Sequence, residues 1–422
     1  MECAKGAETV DLFVSGRLCL FGEHTDWAGE HKGRSDAIME GRTIVVGTQE
    51  GIFATAKPLK EKVLRITTTD NEGRTTGPAE FALEPAELLS VARGGGFFSY
   101  VAGTAYRLVV AHDLHLTPPG APPGPTHIGP QGASVAGGPE GEGEGKGEEG
   151  WRGLELVNHT TTLPMSKGLS SSAAVCVLVA RAFNRVFGLR LSTRGEMEFA
   201  YQGEITTPSK CGRMDQACAY GSVPVLMTFD GDILTVDRVK LAAPLHLVLV
   251  DLKASKDTTT ILRSLQQAYP HPTSDLHEGL HRLLGPINHR ITGEALTAMA
   301  AGDLRKLGRL MVEAQAHFDQ LAGPLCPDQL TAPVLHKVLS YPAIQELVWG
   351  GKGVGSQGDG TAQLLCRGPE EQSKVCSILR EELGMDCMPL SVTVKPPGLG
   401  GAAAAAASNG DGDGNVGVGD SS

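Results

Sequence analysis

Hydrophobic and polar positions repeat with two different periods along the chain, and the switches between them mark its elements. Over 11–21, Leu12, Val14, Leu18, Leu20 and Phe21 alternate loosely with polar residues, which predicts a strand pair or one strand bent at Gly16 and Arg17. Residues 43–56 are strand-like, with a turn expected at Gln49, Glu50 and Gly51, and 63–69 would add another strand. The period then lengthens: Phe98, Val101, Ala102, Ala105, Leu108 and Val109 share one face of a helix over 97–112. A strand over 151–162 leads to a second helix over 170–187, where Ala174, Val177, Leu178, Ala182 and Val186 recur at helical spacing and Gly188 supplies the stop. A third helix is expected over 196–204 and a strand over 362–366.

A helix as apolar as 170–187 is internal, so its N-terminus faces the interior of a site. The chain enters it through the small-residue stretch 163–174, Leu-Pro-Met-Ser-Lys-Gly-Leu-Ser-Ser-Ser-Ala-Ala. Small residues let backbone amides approach an anion, and the orphan N–H groups and positive dipole end of the helix would hold it. Ser170 and Ser171 would offer amides and caps, and Ser172 a hydroxyl for magnesium. Taken alone, the same letters read equally as an ordinary helix start.

Composition narrows the picture. A chain of 422 residues suggests two to three domains, but its 55 Gly and 25 Pro are concentrated. Residues 117–150 and 396–422 have almost nothing to bury and are expected to be disordered. The net charge of −11, with no basic run, argues against a nucleic-acid partner. No apolar run is long enough for a membrane span, and the N-terminus lacks signal or transit character. Nine cysteines without a CxxC pair suggest reduced thiols, so a cytoplasmic location is expected and a structural zinc is not.

Three further stretches carry chemistry. Glu23, His24, Thr25 and Asp26 follow a buried strand and would suit a polyol, although a solvated turn would read the same. Glu204 ends a helix, and Asp215 follows within 211–216; with Arg17 these would serve phosphoryl transfer if the fold gathers them. Residues 350–360 hold so many glycines between core-like flanks that a loop approaching something closely is expected there.

These blocks occur in the order found in the GHMP kinase superfamily, and the chain resembles that family, galactokinases most of all. The motifs are 16–26, 163–174 and 350–360, with 211–216 similar to the galactokinase segment that holds the catalytic aspartate. The resemblance implies an α+β fold with a ribosomal protein S5 domain 2-like N-terminal domain, 1–245, and a ferredoxin-like C-terminal domain, 246–395. ATP would bind between them. It implies sugar contacts from Arg17, Glu23, His24, Asp26 and Gly212, and a phosphate loop of Lys167, Gly168, Leu169, Ser170, Ser171, Ser172 and Ala173. Ser172 and Glu204 would be magnesium ligands, and Asp215 the base, with Arg17 beside it. The third loop would support the phosphate loop.

The chain departs from galactokinases at Trp27 and Ala28, where Tyr-Asn is usual, at Cys19 in place of asparagine, and at Lys167 in place of Gly or Ala. The implied activity is therefore an ATP- and Mg2+-dependent kinase acting on a sugar hydroxyl. A kinase of another polar alcohol and a catalytically silent sugar-binding regulator stay open. The Glu-His-Thr-Asp cluster speaks against mevalonate, whose carboxylate would want more cations nearby.

Overall fold

The computed structural model describes residues 9–112, 152–163, 169–209 and 211–392. The stretches 117–150 and 396–422, expected to be disordered, lie outside the described residues.

Seven strands form the first sheet: β1 Val10–Phe21, β2 Gly41–Leu59, β3 Val63–Thr69, β4 Thr75–Ala82, β5 Gly153–Thr161, β6 Val225–Asp230 and β7 Ile233–Arg238. Their order is β4-β3-β5-β2-β6-β7, with β1 paired antiparallel to β2 along most of its length. Among the described strands only β3 and β5 run parallel. The expected strand over 11–21 is a single strand whose register shifts between Ser15 and Arg17, where the bend was anticipated.

The turn expected at Gln49 to Gly51 does not form: β2 runs unbroken through it, pairing with β6 through 41–45 and with β5 through 52–59. Gly51 is there for close approach. A Cβ on it would sit 2.3 Å from the Val14 carbonyl oxygen. Its own N–H donates to Thr162 Oγ1 at 3.0 Å.

Helices cover this sheet: α1 Thr25–Gly29, α2 Pro85–Gly94, α3 Ser99–His112, α4 Ser171–Phe187 and α5 Thr193–Glu204. The helix α4 packs on β1, α3 and α5, with Ala173, Ala174, Val177, Ala180 and Phe183 fully buried. Each large apolar side chain so buried contributes roughly 1.5–3 kcal/mol. Arg181 of α4 locks the arrangement. It donates to the Phe13 carbonyl at 2.7 Å, the Ala219 carbonyl at 2.8 Å and Glu196 Oε2 at 2.9 Å.

The second sheet comprises β8 Leu245–Asp251, β9 Val348–Gly353, β10 Thr361–Cys366 and β11 Asp386–Val392, in the order β11-β8-β10-β9. All its pairings are antiparallel, and this order, with the helix Pro369–Leu383 linking β10 to β11, is ferredoxin-like. Between β8 and β9 runs a helical stretch: α6 Thr258–Gln267, α7 Asp275–Arg282, α8 Asn288–Ala301, α9 Leu304–Leu321, α10 Pro327–Leu330 and α11 Pro333–Leu339. The last helix is α12 Pro369–Leu383. The fold is thus α+β, as expected.

The start of the expected glycine loop 350–360 is strand. Gly350 lies in β9 because α9 crosses it closely: a Cβ there would come 2.1 Å from the Gly308 carbonyl oxygen. The loop itself begins at Val354. One core joins the two sheets, running from β1, β2 and α4 into Leu245, Leu247, Ile291, Leu310 and Val392. No helix among the described residues is long and apolar enough to cross a membrane.

Candidate active site

A cleft of about 1210 Å³ opens between the end of β1, the start of α4 and the loops that follow β8 and β9. The turn after β1 shapes one end of it. Gly22 takes φ 95° with its Cα tight against the Arg42 carbonyl, where a Cβ would approach to 2.0 Å, so glycine is required. His24 follows at φ 69°. This compressed turn sends Glu23, His24, Asp26 and Trp27 to the cleft wall. Thr25 points the other way: its hydroxyl donates to the Gly22 carbonyl at 2.7 Å and holds the turn shut.

Arg17, one strand segment earlier, forms an ion pair with Asp215. Asp215 opens a 3₁₀ turn, Asp215–Tyr220, that lies against α4 and β1. The Arg17 N–H donates to the Leu169 carbonyl at 3.2 Å, which ties β1 to the entry of α4. Gly212 faces Asp26 so closely that a Cβ would come 2.1 Å from Asp26 Oδ2.

Ser170, Ser171 and Ser172 line the cleft at the helix start. Ser170 is left-handed, φ 56° and ψ 52°, and its side chain makes no capping hydrogen bond, contrary to the expected cap. The left-handed twist carries the side chain away from the α4 amides that a capping serine would reach. Ser172 Oγ donates to Glu204 Oε1 at 2.8 Å, and Gln216 Nε2 donates to Glu204 Oε2 at 2.8 Å. Leu169 and Ala173 are buried in the core. Lys167 and Gly168 lie outside the described residues, and so does any support of the phosphate loop by the third loop.

Residues 144–222 match the family described as GHMP kinases N terminal domain. Over those residues the chain is similar to GHMP kinases. Solved GHMP kinase structures share its architecture. The Lactococcus lactis galactokinase complexed with galactose superposes with a TM-score of 0.61 at 18% identity, covering 91% of this chain and 94% of that one. The Methanococcus jannaschii mevalonate kinase gives 0.62 at 14% identity, covering 92% and 100%. The homoserine kinase of Cytophaga hutchinsonii gives 0.57 at 16%, covering 93% and 97%. At these identities the likeness is one of fold, and the three proteins are named for different acceptors. No curated protein sequence matches the chain.

The cleft divides into two electrostatic halves. Around Arg17 gather the carboxylates: Asp26 is pushed up to about 6, first by burial and then by the charge of Asp215. Glu204 is pushed up to about 7 for the same two reasons. Around His24 gather lysines. His24 is pushed down to about 4 by burial and then by Lys256, with the Ser356 backbone offsetting part of the shift. It is therefore neutral at pH 7, stacked on Phe318 with ring centroids 5.7 Å apart.

Two of these groups escaped the sequence reading. Lys352 of β9 is almost fully buried and forms an ion pair with Glu23, so the third glycine motif reaches the Glu23 end of the cleft. Lys256, in the loop after β8, lines the same end. Lys352 lies within 350–360, where the glycines and not the lysine drew the reading, and Lys256 belongs to no motif. Trp27, a departure from galactokinases, donates its indole N–H to His24 Nδ1 at 3.3 Å and thereby orients the ring.

Proposed function

We propose that the chain transfers the terminal phosphoryl group of ATP to a hydroxyl of a sugar, giving ADP and a sugar phosphate. The observation that carries this reading is the convergence of the Arg17–Asp215 ion pair and the Ser172–Glu204 pair at the start of α4. Such transfer needs positioning, charge stabilisation and a group to receive the hydroxyl proton. Asp215 is proposed to take that proton, and Arg17 to orient Asp215 and stabilise charge on the transferring group. Glu23, His24, Asp26 and the close-packed Gly212 are proposed to hold the sugar. Amides at Ser170, Ser171 and Ser172, with Lys167, Gly168, Leu169 and Ala173 of the same loop, are proposed to hold the phosphates. The division into 1–245 and 246–395 is part of this reading.

The donor set fits Mg2+. Ser172 and Glu204 offer two oxygens in contact, and Glu204, pushed up to about 7 by burial and by Asp215, is a carboxylate short of a cation. Bound there, the ion would neutralise phosphate charge.

The test is an ADP-release assay of the purified chain over monosaccharides, sugar acids, mevalonate and homoserine. Turnover with a sugar or sugar acid is expected. Turnover confined to mevalonate or homoserine would remove the sugar, and ATP binding with no turnover would favour a silent regulator. Asp215→Asn is expected to lower kcat by about 10²–10⁴-fold while leaving ATP affinity nearly unchanged.

A further inference from the structure

We propose that the acceptor carries a carboxylate, a sugar acid rather than a neutral sugar, and that Lys256 is the group that binds it. The inference rests on the kinase reading above and names the acceptor class for the same cleft.

Lys256 stands between β8 and α6 and lines the cleft beside Glu23 and His24. Its ammonium donates to the Gln357 carbonyl at 2.9 Å and the Val354 carbonyl at 3.5 Å, both in the loop after β9. An ammonium has three donors, so one remains. Gly360 packs against the same side chain, with a Cβ there predicted 2.7 Å from Nζ, so the lysine cannot swing that way. Glu23 is the carboxylate whose charge it feels, but Glu23 is committed to Lys352. Among the described residues no carboxylate lies within ion-pairing distance of Lys256. A cation buried with only backbone partners is costly, and burial pushes this one down to about 8.

A second donor points to the same ligand. His24 is nearly fully buried and neutral, and its Nδ1 accepts from Trp27, so Nε2 carries the proton. Nε2 makes no hydrogen bond of full geometry among the described residues, although the Ser356 backbone acts on the ring as a partial hydrogen-bond partner. Lys256 and Lys352 both act on His24 electrostatically, which places the three groups together. Glu23, Lys352 and Lys256 leave one positive charge at this end, which matches a carboxylate better than a dianionic phosphate. The Asp26 and Gly212 side remains for hydroxyls.

The test is calorimetric titration of the full chain with D-galacturonate and D-glucuronate against D-galactose and D-glucose, beside the ADP-release assay. A hexuronate is expected to bind at least about tenfold more tightly than its neutral parent. Lys256→Met is expected to remove that preference by raising Kd and KM for the acid about tenfold to a hundredfold, with kcat and the KM for ATP little changed. Lys256→Arg should keep most of it. Neutral sugars binding as well as the acids would overturn the inference, and the wild type alone reads this outcome. A rise in the KM for ATP in Lys256→Met would also overturn it, assigning the lysine to the nucleotide. Lys256-dependent hexuronate binding without ADP release would support the carboxylate site and defeat the kinase reading.

Discussion

Glu23 and Lys352, 329 residues apart, meet in a buried ion pair that joins the turn after β1 to strand β9. Lys352 also donates to the Gly353 carbonyl at 3.0 Å, and Gln315 of α9 accepts from the Gly353 N–H at 2.7 Å. The pair thus fastens the cleft's far wall to the second sheet. Removing one partner leaves a buried charge unpaired. Lys352→Met is expected to lower stability by about 3–5 kcal/mol, and Glu23→Gln with Lys352→Met to recover part of the loss. Chemical denaturation of the three variants measures this; a single-variant cost below about 1 kcal/mol would mean that the pair is dispensable.

Arg17 and Asp215 are expected to act as one unit, because each is the other's charge partner in the cleft. Arg17→Met and Asp215→Asn should each lower kcat by about 10²-fold or more, and the double variant should be little worse than the poorer single. Multiplicative losses in steady-state kinetics would show the two to work separately.

Asp26 makes stability depend on pH. Its folded pKa, about 6, lies above the ordinary aspartate value of 3.8, so the unfolded chain loses this proton more readily. Its contribution is fully present below pH 4 and is lost as pH rises through 6. Asp26→Asn should therefore stabilise the unliganded protein by about 3 kcal/mol at pH 7 and by nearly nothing below pH 4. Melting curves at pH 4, 5, 6 and 7 test it, and an equal effect at all four would exclude titration as the cause.

Ser172 and Glu204 are expected to link metal to nucleotide. Mg2+ with ADP should raise the melting temperature of the wild type more than ADP with EDTA, and Glu204→Gln should abolish the difference. Survival of the Mg2+ increment in that variant would place the ion elsewhere.

Much of the fold was legible because period and punctuation are local. The helix over 170–187, with its glycine stop, is α4 with Gly188 left-handed at its end. Glycine misled where its reason was not local. Gly51 and Gly350 read as turn and loop, yet both lie in strands, pressed against the Val14 carbonyl and against α9. The helical stretch between β8 and β9 went unread, although Ile261 and Leu265 bury one face of α6.

The sequence by itself determined the parts: a strand ending in Glu-His-Thr-Asp, a small-residue entry to a buried helix, and separate Glu204 and Asp215. Arg17, Asp26, Gly212, Asp215, Ser172 and Glu204 share one cleft because β1 runs beside α4 and the 3₁₀ turn packs on both. Only the tertiary structure decided how these parts are charged and partnered. Burial set Asp26, Glu204 and His24 away from their ordinary ranges, and strand pairing in the second sheet brought Lys352 to Glu23. Periodicity records which face of an element is apolar. It carries no record of which distant side chain closes against that element, and that contact fixes the chemistry.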